Sequence, residues 1–220
     1  MSPSAPPKRV RKSPEARRAE IVGRAATIAL TEGLECITMR RVAEDLAVRP
    51  GLISHYFPVA EELVAEAFGT AATDELEELI PAERSAGAAL DLLARFFARS
   101  TGPRYDDMSR LWLNARHLSR FRPVLAERVA VQEAAWRDRL TGLLREGTAE
   151  GVFDPEDPAV AAILILVVLD GLGVHANTDR SNRPAAVTNM AVTTAERELG
   201  LAGGSLLSLV EGVATPAPTV

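Results

Sequence analysis

Ser54, His55 and Tyr56 stand together in the stretch PGLISHYF, residues 50–57. A hydroxyl, an imidazole and a phenol in a row could serve nucleophilic catalysis, with His55 as base for Ser54, or could present polar tips to a partner. A nucleophile elbow needs Gly-x-Ser-x-Gly on a turn that follows a strand, and here Leu52-Ile53 precede Ser54. Pro50, with Ile53 and Phe57 four residues apart, fits a short helix carrying one apolar face. Successive helical side chains diverge by about 100 degrees, so Ser54 and His55 cannot exchange a proton directly. The polar residues therefore predict a surface that touches something. A second titratable set, Asp106, Asp107, Arg116 and His117, suits an all-α enzyme only if a cleft shifts its pKa values strongly. His117 and His175 have no cysteine nearby and form no HExxH-type pair, so no metal site is expected. There is no P-loop and no GxGxxG, so no cofactor is expected either.

The elements that position such residues are bounded by composition. The chain has 220 residues, enough for one sizeable domain or two small ones. With 47% hydrophobic and 25% charged residues it reads as an ordinary soluble globular chain. Its longest apolar run, residues 159–169, is closed by Asp170. As a helix that run reaches ~16 Å, about half of a hydrocarbon core, which argues against a membrane span. The basic N-terminus lacks an apolar segment after it, against a secretory signal. Cys36 is the single cysteine, so no intrachain disulfide can form and a cytoplasmic location is expected. The net charge of −5 hides an asymmetry: residues 1–56 hold ten Lys or Arg against six acids, +4, and the remainder holds −9. This pattern predicts a basic module attached to an acidic one, or a basic tail without a partner.

Residues 1–13 contain little to bury and read as a flexible basic arm. Ser13, Pro14 and Glu15 supply an N-cap, a first-turn proline and a first-turn acid. Ile21, Ala25, Ile28 and Ala29 then recur at helical spacing until Gly33, a natural stop. Thr38 offers a second N-cap, with Val42, Ala43 and Leu46 on the apolar face of a short helix. Pro50 opens a third helix, ended by Pro58, and a fourth turns Leu63, Val64, Ala67 and Phe68 inward. Short helices joined by turns of a few residues have helix-turn-helix geometry.

Residues 17–68 resemble the DNA-binding domain of TetR-family repressors. The resemblance is carried by the basic start, Ile21 and Ala25, Glu32-Gly33, Thr38, Val42-Ala43, Gly51, and Tyr56-Phe57 before Glu61-Glu62-Leu63. Within that family, Ile53-Ser54-His55-Tyr56-Phe57 is most similar to the choline-responsive BetI-type repressors. The resemblance implies an all-α protein with a helix-turn-helix DNA-binding domain over 14–60 and a helical effector-binding and dimerisation domain over 61–202. It implies a homodimeric, ligand-responsive transcription repressor on a pseudo-palindromic operator in double-stranded DNA, not an enzyme. The alternatives are an all-α enzyme and a helical interaction module that lacks specific DNA binding.

Chemistry assigns the DNA-facing roles. Tyr56 suits a phosphate oxygen, Ser54 and His55 suit phosphate or base edges, and Leu52 suits a thymine methyl. Gly51 lets the backbone approach closely. Arg40 or Arg41, early in the second helix, can fork onto guanine; each could equally be a solvated charge, and His55 an exposed polar residue. Lys8–Lys12 and Arg17-Arg18 add sequence-independent phosphate attraction. Thr38 and Arg49, at the starts of the two helices, complete the set. Two positions depart from the family pattern: Arg49 stands where a polar N-cap is usual, and Ala60 where a lysine supplies a phosphate contact. Arg49 and the arm are placed to compensate.

Beyond Pro81, Leu90, Leu93 and Phe97 mark one helix, ending near Gly102-Pro103, and Leu111, Trp112, Ala115 and Leu118 another. A long helix runs from Pro123 to Gly151. After a turn at residues 154–158, AVAAILILVVLDGLGVHA is apolar nearly all round and must be covered on every side. The resemblance implies a four-helix bundle across a two-fold axis, with residues 184–199 as the second helix; burial within one chain is the alternative. It also implies a small-molecule effector. Phe97, Trp112, Trp136 and Asp170 are the candidates to line its pocket, though an aromatic at helical spacing also fits plain core. From Gly203 to residue 220 the composition predicts a flexible tail.

Overall fold

Ser13 Oγ accepts a hydrogen bond from the Ala16 N–H (3.1 Å) and starts α1 (Pro14–Glu32). Ile21, Val22, Ala25, Ile28 and Ala29 form its buried stripe. Gly33, at φ 103°, ends it in a backbone conformation that side chains rarely adopt. A 3-10 turn (Leu34–Cys36) leads to Thr38, whose hydroxyl accepts from the Arg41 N–H (3.0 Å) and caps α2 (Met39–Asp45). Then come α3 (Pro50–Tyr56) and α4 (Ala60–Leu79). Ile53 and Phe57 are buried with the α1 and α2 stripes, which closes a small apolar core under α3. A computed structural model of the chain describes residues 12–100, 103–178 and 184–214; in these the secondary structure is eleven α-helices and the one 3-10 turn, with no strand.

The long α4 belongs to both halves, packing on α1 and on α7. The second half comprises α5 (Ala89–Arg99), α6 (Pro103–Ser119), α7 (Pro123–Ala149), α8 (Pro158–Thr178), α9 (Ala185–Thr188), α10 (Met190–Glu198) and α11 (Ser205–Ala214). Helix α8 starts where Asp157 Oδ1 accepts from the Ala159 N–H (2.8 Å). Phe153 folds back onto α7 at Gly147, where a β-carbon would overlap its ring.

Two expectations, a single helix over residues 184–199 and a flexible tail, need correction. The apolar helix expected over residues 159–176 is 21 residues long, enough by length and composition to cross a membrane. It is instead packed on α6, α7 and α10, and its Asp170 is bonded to Arg116, as suits a core helix. Residues 184–199 form two helices, α9 and α10, divided at Asn189. The tail from Gly203 contains α11, seated on α5 and α10 with Leu206 fully buried. Its cause is Glu196, itself buried: Oε1 accepts from the Leu206 and Leu207 N–H groups (2.9 and 3.0 Å), and Oε2 from Gly204 (2.9 Å). One carboxylate thus satisfies the unpaired donors of a helix start. Residues 215–220 of the expected tail and 1–11 of the expected arm lie outside the described residues.

Candidate DNA-binding surface and effector cavity

On α3, Gly51, Ser54 and His55 are exposed, Leu52 and Tyr56 are half-buried, and Ile53 and Phe57 point into the core. Ser54 Oγ donates back to the Pro50 carbonyl (3.4 Å), not to His55, and the His55 ring lies edge-on to Tyr56 with centroids 5.3 Å apart. No proton relay is assembled. What remains is a row of polar groups facing outward on a short, braced helix.

The arginines differ in how they are held. Arg40 is 84% exposed and, among the described residues, bonds Glu44, one turn on (2.7 Å). Arg41 forks onto both Glu32 oxygens (2.6 and 2.8 Å) and also bonds Asp45 (3.1 Å), which Arg24 reaches as well (3.2 Å). The Glu32 and Asp45 carboxylates hold Arg41 even more firmly in its charged form. Arg41, expected to face DNA, is thus engaged in tying α2 to the end of α1. Arg49 is exposed and gives α3 no side-chain cap, because its guanidinium offers no acceptor. The basic start is largely compensated: Lys12 and Arg17 both bond Glu20 (2.7 and 2.6 Å). Arg18 bonds Glu66 and lies 4.7 Å over the Phe57 ring. Residues 8–11 of the expected phosphate-binding arm fall outside the described residues.

A cavity of about 220 Å³ lies among α4, α5, α6, α7 and α8. Of the four candidates, Trp112, Trp136 and Asp170 line it and Phe97 does not; Phe96, one residue earlier, takes that place. Adjacent helical residues point about 100 degrees apart, so a sequence stripe read one residue late selects the wrong ring. Glu75, Tyr105, Arg116 and Glu133 also line the cavity. Of these, the sequence marks only Arg116, and only as part of the enzyme alternative. Glu75 could have been found as a charge on the otherwise apolar buried stripe of Ala71, Ala72 and Leu76.

Arg116 organises the polar wall. Its Nε donates to Glu133 (3.0 Å), its Nη2 to Asp170 (2.9 Å), and its guanidinium lies 5.2 Å over the Trp112 ring. Burial disfavours its charge, but the Asp170 and Glu133 carboxylates outweigh this and hold its pKa above the ordinary value. Trp112 Nε1 donates to Glu75 (2.9 Å), and its ring meets Phe68 edge-on. Burial, then the charges of Glu75 and Asp170, push the Tyr105 phenol well above its usual range, so it stays a neutral hydroxyl. Trp136 Nε1 is buried without an acceptor among the described residues. Among the described residues the enzyme reading finds no assembled site: Asp107 is exposed and bonds Arg110, and His117 is exposed against Phe121.

Residues 88–200 match the family model described as the BetI-type transcriptional repressor C-terminal domain. No curated protein sequence matches the chain. Among solved structures, a TetR-family transcriptional regulator from Rhodococcus sp. is 20% identical, with a TM-score of 0.69 over 83% of this chain and 98% of its own. Salmonella enterica GusR is 17% identical, with a TM-score of 0.66 over 86% and 98%. A transcriptional regulator from Saccharomonospora viridis, solved in complex with choline, is 21% identical, with a TM-score of 0.62 over 82% and 94%. Those likenesses show the fold, and the domain match shows the family. An N-terminal helix-turn-helix joined to this helical domain makes the chain a TetR-family transcriptional regulator with a BetI-type C-terminal domain, and so a member of a family of regulators, not enzymes.

Proposed function

We propose that the protein is a cytoplasmic, homodimeric repressor that binds a pseudo-palindromic DNA operator and releases it when a small organic cation fills the cavity. The observation that carries the DNA half of this reading is α3: a braced core face of Ile53 and Phe57 behind an outward row of Gly51, Ser54 and His55. Arg49 and Tyr56 stand at the two ends of α3, and Arg40 on α2, which packs against it; Arg40 is suited to base edges and Tyr56 to phosphate. Thr38 contributes by fixing the start of α2.

Pairing of two copies is supported by α8. Val160, Ile163, Leu164, Val167 and Val174 are exposed in the single chain, as is Met190 at the start of α10. Burying such a stripe yields ~25 cal/mol per Å² and suits a second copy about a two-fold axis. That symmetry sets two recognition helices about one DNA turn apart, or a multiple of it.

The effector class follows from the cavity wall. Trp112, Trp136 and Phe96 give aromatic faces, and the carboxylates Glu75, Glu133 and Asp170 outweigh the guanidinium groups of Arg116 and Arg137, which together favour a compact cation. A volume of about 220 Å³ lies below the ~300–1,000 Å³ of drug-sized sites, so the ligand is a small metabolite. The choline bound by the Saccharomonospora viridis regulator is of this class and is the first probe to use. Selection of DNA from a random pool by the full-length protein, followed by titration of choline against the selected complex, tests the reading. Selection of a two-fold motif and its release by choline are expected. Enrichment of no motif removes the repressor assignment, and a complex indifferent to choline removes the cation assignment alone.

A further inference from the structure

We infer that Asn114 is the residue through which the state of the cavity reaches the helix-turn-helix; this rests on the regulatory reading above. One side of α6 lines the cavity with Ser109, Trp112 and Arg116. Asn114, between the last two in sequence, reaches the turn after α1. Its Oδ1 accepts from the Leu34 N–H (2.9 Å), and its Nδ2 donates to both oxygens of Glu35 (2.9 Å each). Leu34 is fully buried and opens the 3-10 turn. That turn is bound to α2 on both sides: Glu32 before it holds Arg41, and Thr38 after it caps the helix.

The physical case is that both ends of this link are constrained. A buried N–H with one acceptor penalises separation, so a shift of α6 either carries Leu34 along or leaves a donor unpaired. At the other end, Arg116 is held between Glu133 of α7 and Asp170 of α8. A cation that competes for either carboxylate changes how α6 is held against those helices. The residue that fastens α6 to the turn then sets where α2 and α3 sit. A second connection runs from Trp112 to Glu75 and Phe68 on α4, so the share carried by Asn114 has to be measured against it.

The measurement needs no effector. Arg116→Ala releases Glu133 and Asp170 and stands in for the ligand, with full-length protein and an operator selected from random DNA. In the otherwise unaltered protein, Arg116→Ala should change operator Kd by roughly 5–150-fold, the usual range of coupling between sites. In the Asn114→Ala background the same change should fall to about twofold or less. Hydrogen exchange at the Leu34 amide should quicken in Arg116→Ala, which a purely local brace at Asn114 would not produce. Asn114→Asp sets a carboxylate against Glu35 and should also uncouple the halves. Adding Glu35→Gln, so that an amide again faces a carboxylate, should restore the response. An equal response to Arg116→Ala with and without Asn114, a response that survives Asn114→Asp, or no recovery on adding Glu35→Gln overturns the inference and leaves the repressor reading standing. A protein that selects no DNA overturns both.

Discussion

Across α1 to α3 no described side chain is both polar and buried, and no large apolar side chain is exposed. From α4 onward both situations occur: Glu75, Gln132, Thr141, Thr194 and Glu196 lie inside, while Val160, Ile163, Leu164 and Val167 lie outside. The first region completes its core within one chain and turns a polar surface outward, which fits a highly charged partner. The second leaves apolar area uncovered and polar groups enclosed. Exposed apolar stripes mark surfaces that associate, and enclosed polar groups with aromatic walls mark a ligand site. Under the proposed function, the contrast would separate two kinds of recognition in one molecule: electrostatic and shape-based on DNA, hydrophobic between copies.

The contrast can be broken most severely at Val167, which is 61% exposed on α8. Val167→Asp should give monomers by sedimentation and lower operator affinity by roughly 10²–10⁴-fold, the loss expected when two linked sites become one. A dimer of unchanged stability would show that the stripe is covered in some other way. Next in size is Glu196→Ala, which strands the N–H groups of Gly204, Leu206 and Leu207. Thermal or urea unfolding should show a loss of roughly 2–3 kcal/mol; a change within error would mean that α11 does not depend on its enclosed carboxylate.

In the reading head, Arg40→Ala should cost roughly 1–3 kcal/mol of discrimination at particular base pairs, measured by competition between selected and altered operators. Tyr56→Phe should weaken all sequences alike. Equal loss on specific and random DNA in Arg40→Ala would move that arginine to the phosphate backbone. The smallest effect is expected at Ala47, which has φ 51° in the turn between α2 and α3. Ala47→Gly relieves a left-handed conformation but frees the unfolded chain, so a net gain below about 1 kcal/mol is expected. Calorimetry showing destabilisation would mean that the entropy term dominates.

Much of the first region was legible because its signals are local. Ser13, Pro14, Gly33, Thr38 and Pro50 act within one or two helical turns, and each marks the boundary expected of it. The second region was legible only as a set of apolar helices. Phe96 and Phe97 are both buried, and nothing short of packing decides which one reaches the cavity. Glu196 and Gly204 are eight residues apart, and a composition that suggests a frayed tail says nothing about a carboxylate waiting to cap it.

The sequence by itself determined the helical character of the chain, the helix-turn-helix and the all-round apolar character of α8. Periodicity, capping and turn residues are nearest-neighbour physics, and they survive without knowledge of the whole. Tertiary structure alone decided that Arg41 braces α2 while Arg40 stays exposed, that Arg116 joins Glu133 to Asp170 across three helices, and that Asn114 fastens α6 to Leu34. For Arg41, Arg116 and Asn114 the deciding partner comes from a different element, between nine and eighty residues away, while the partner of Arg40 among the described residues lies on its own helix. Charges and amides choose partners by distance in space, and that distance is fixed only after the helices have packed.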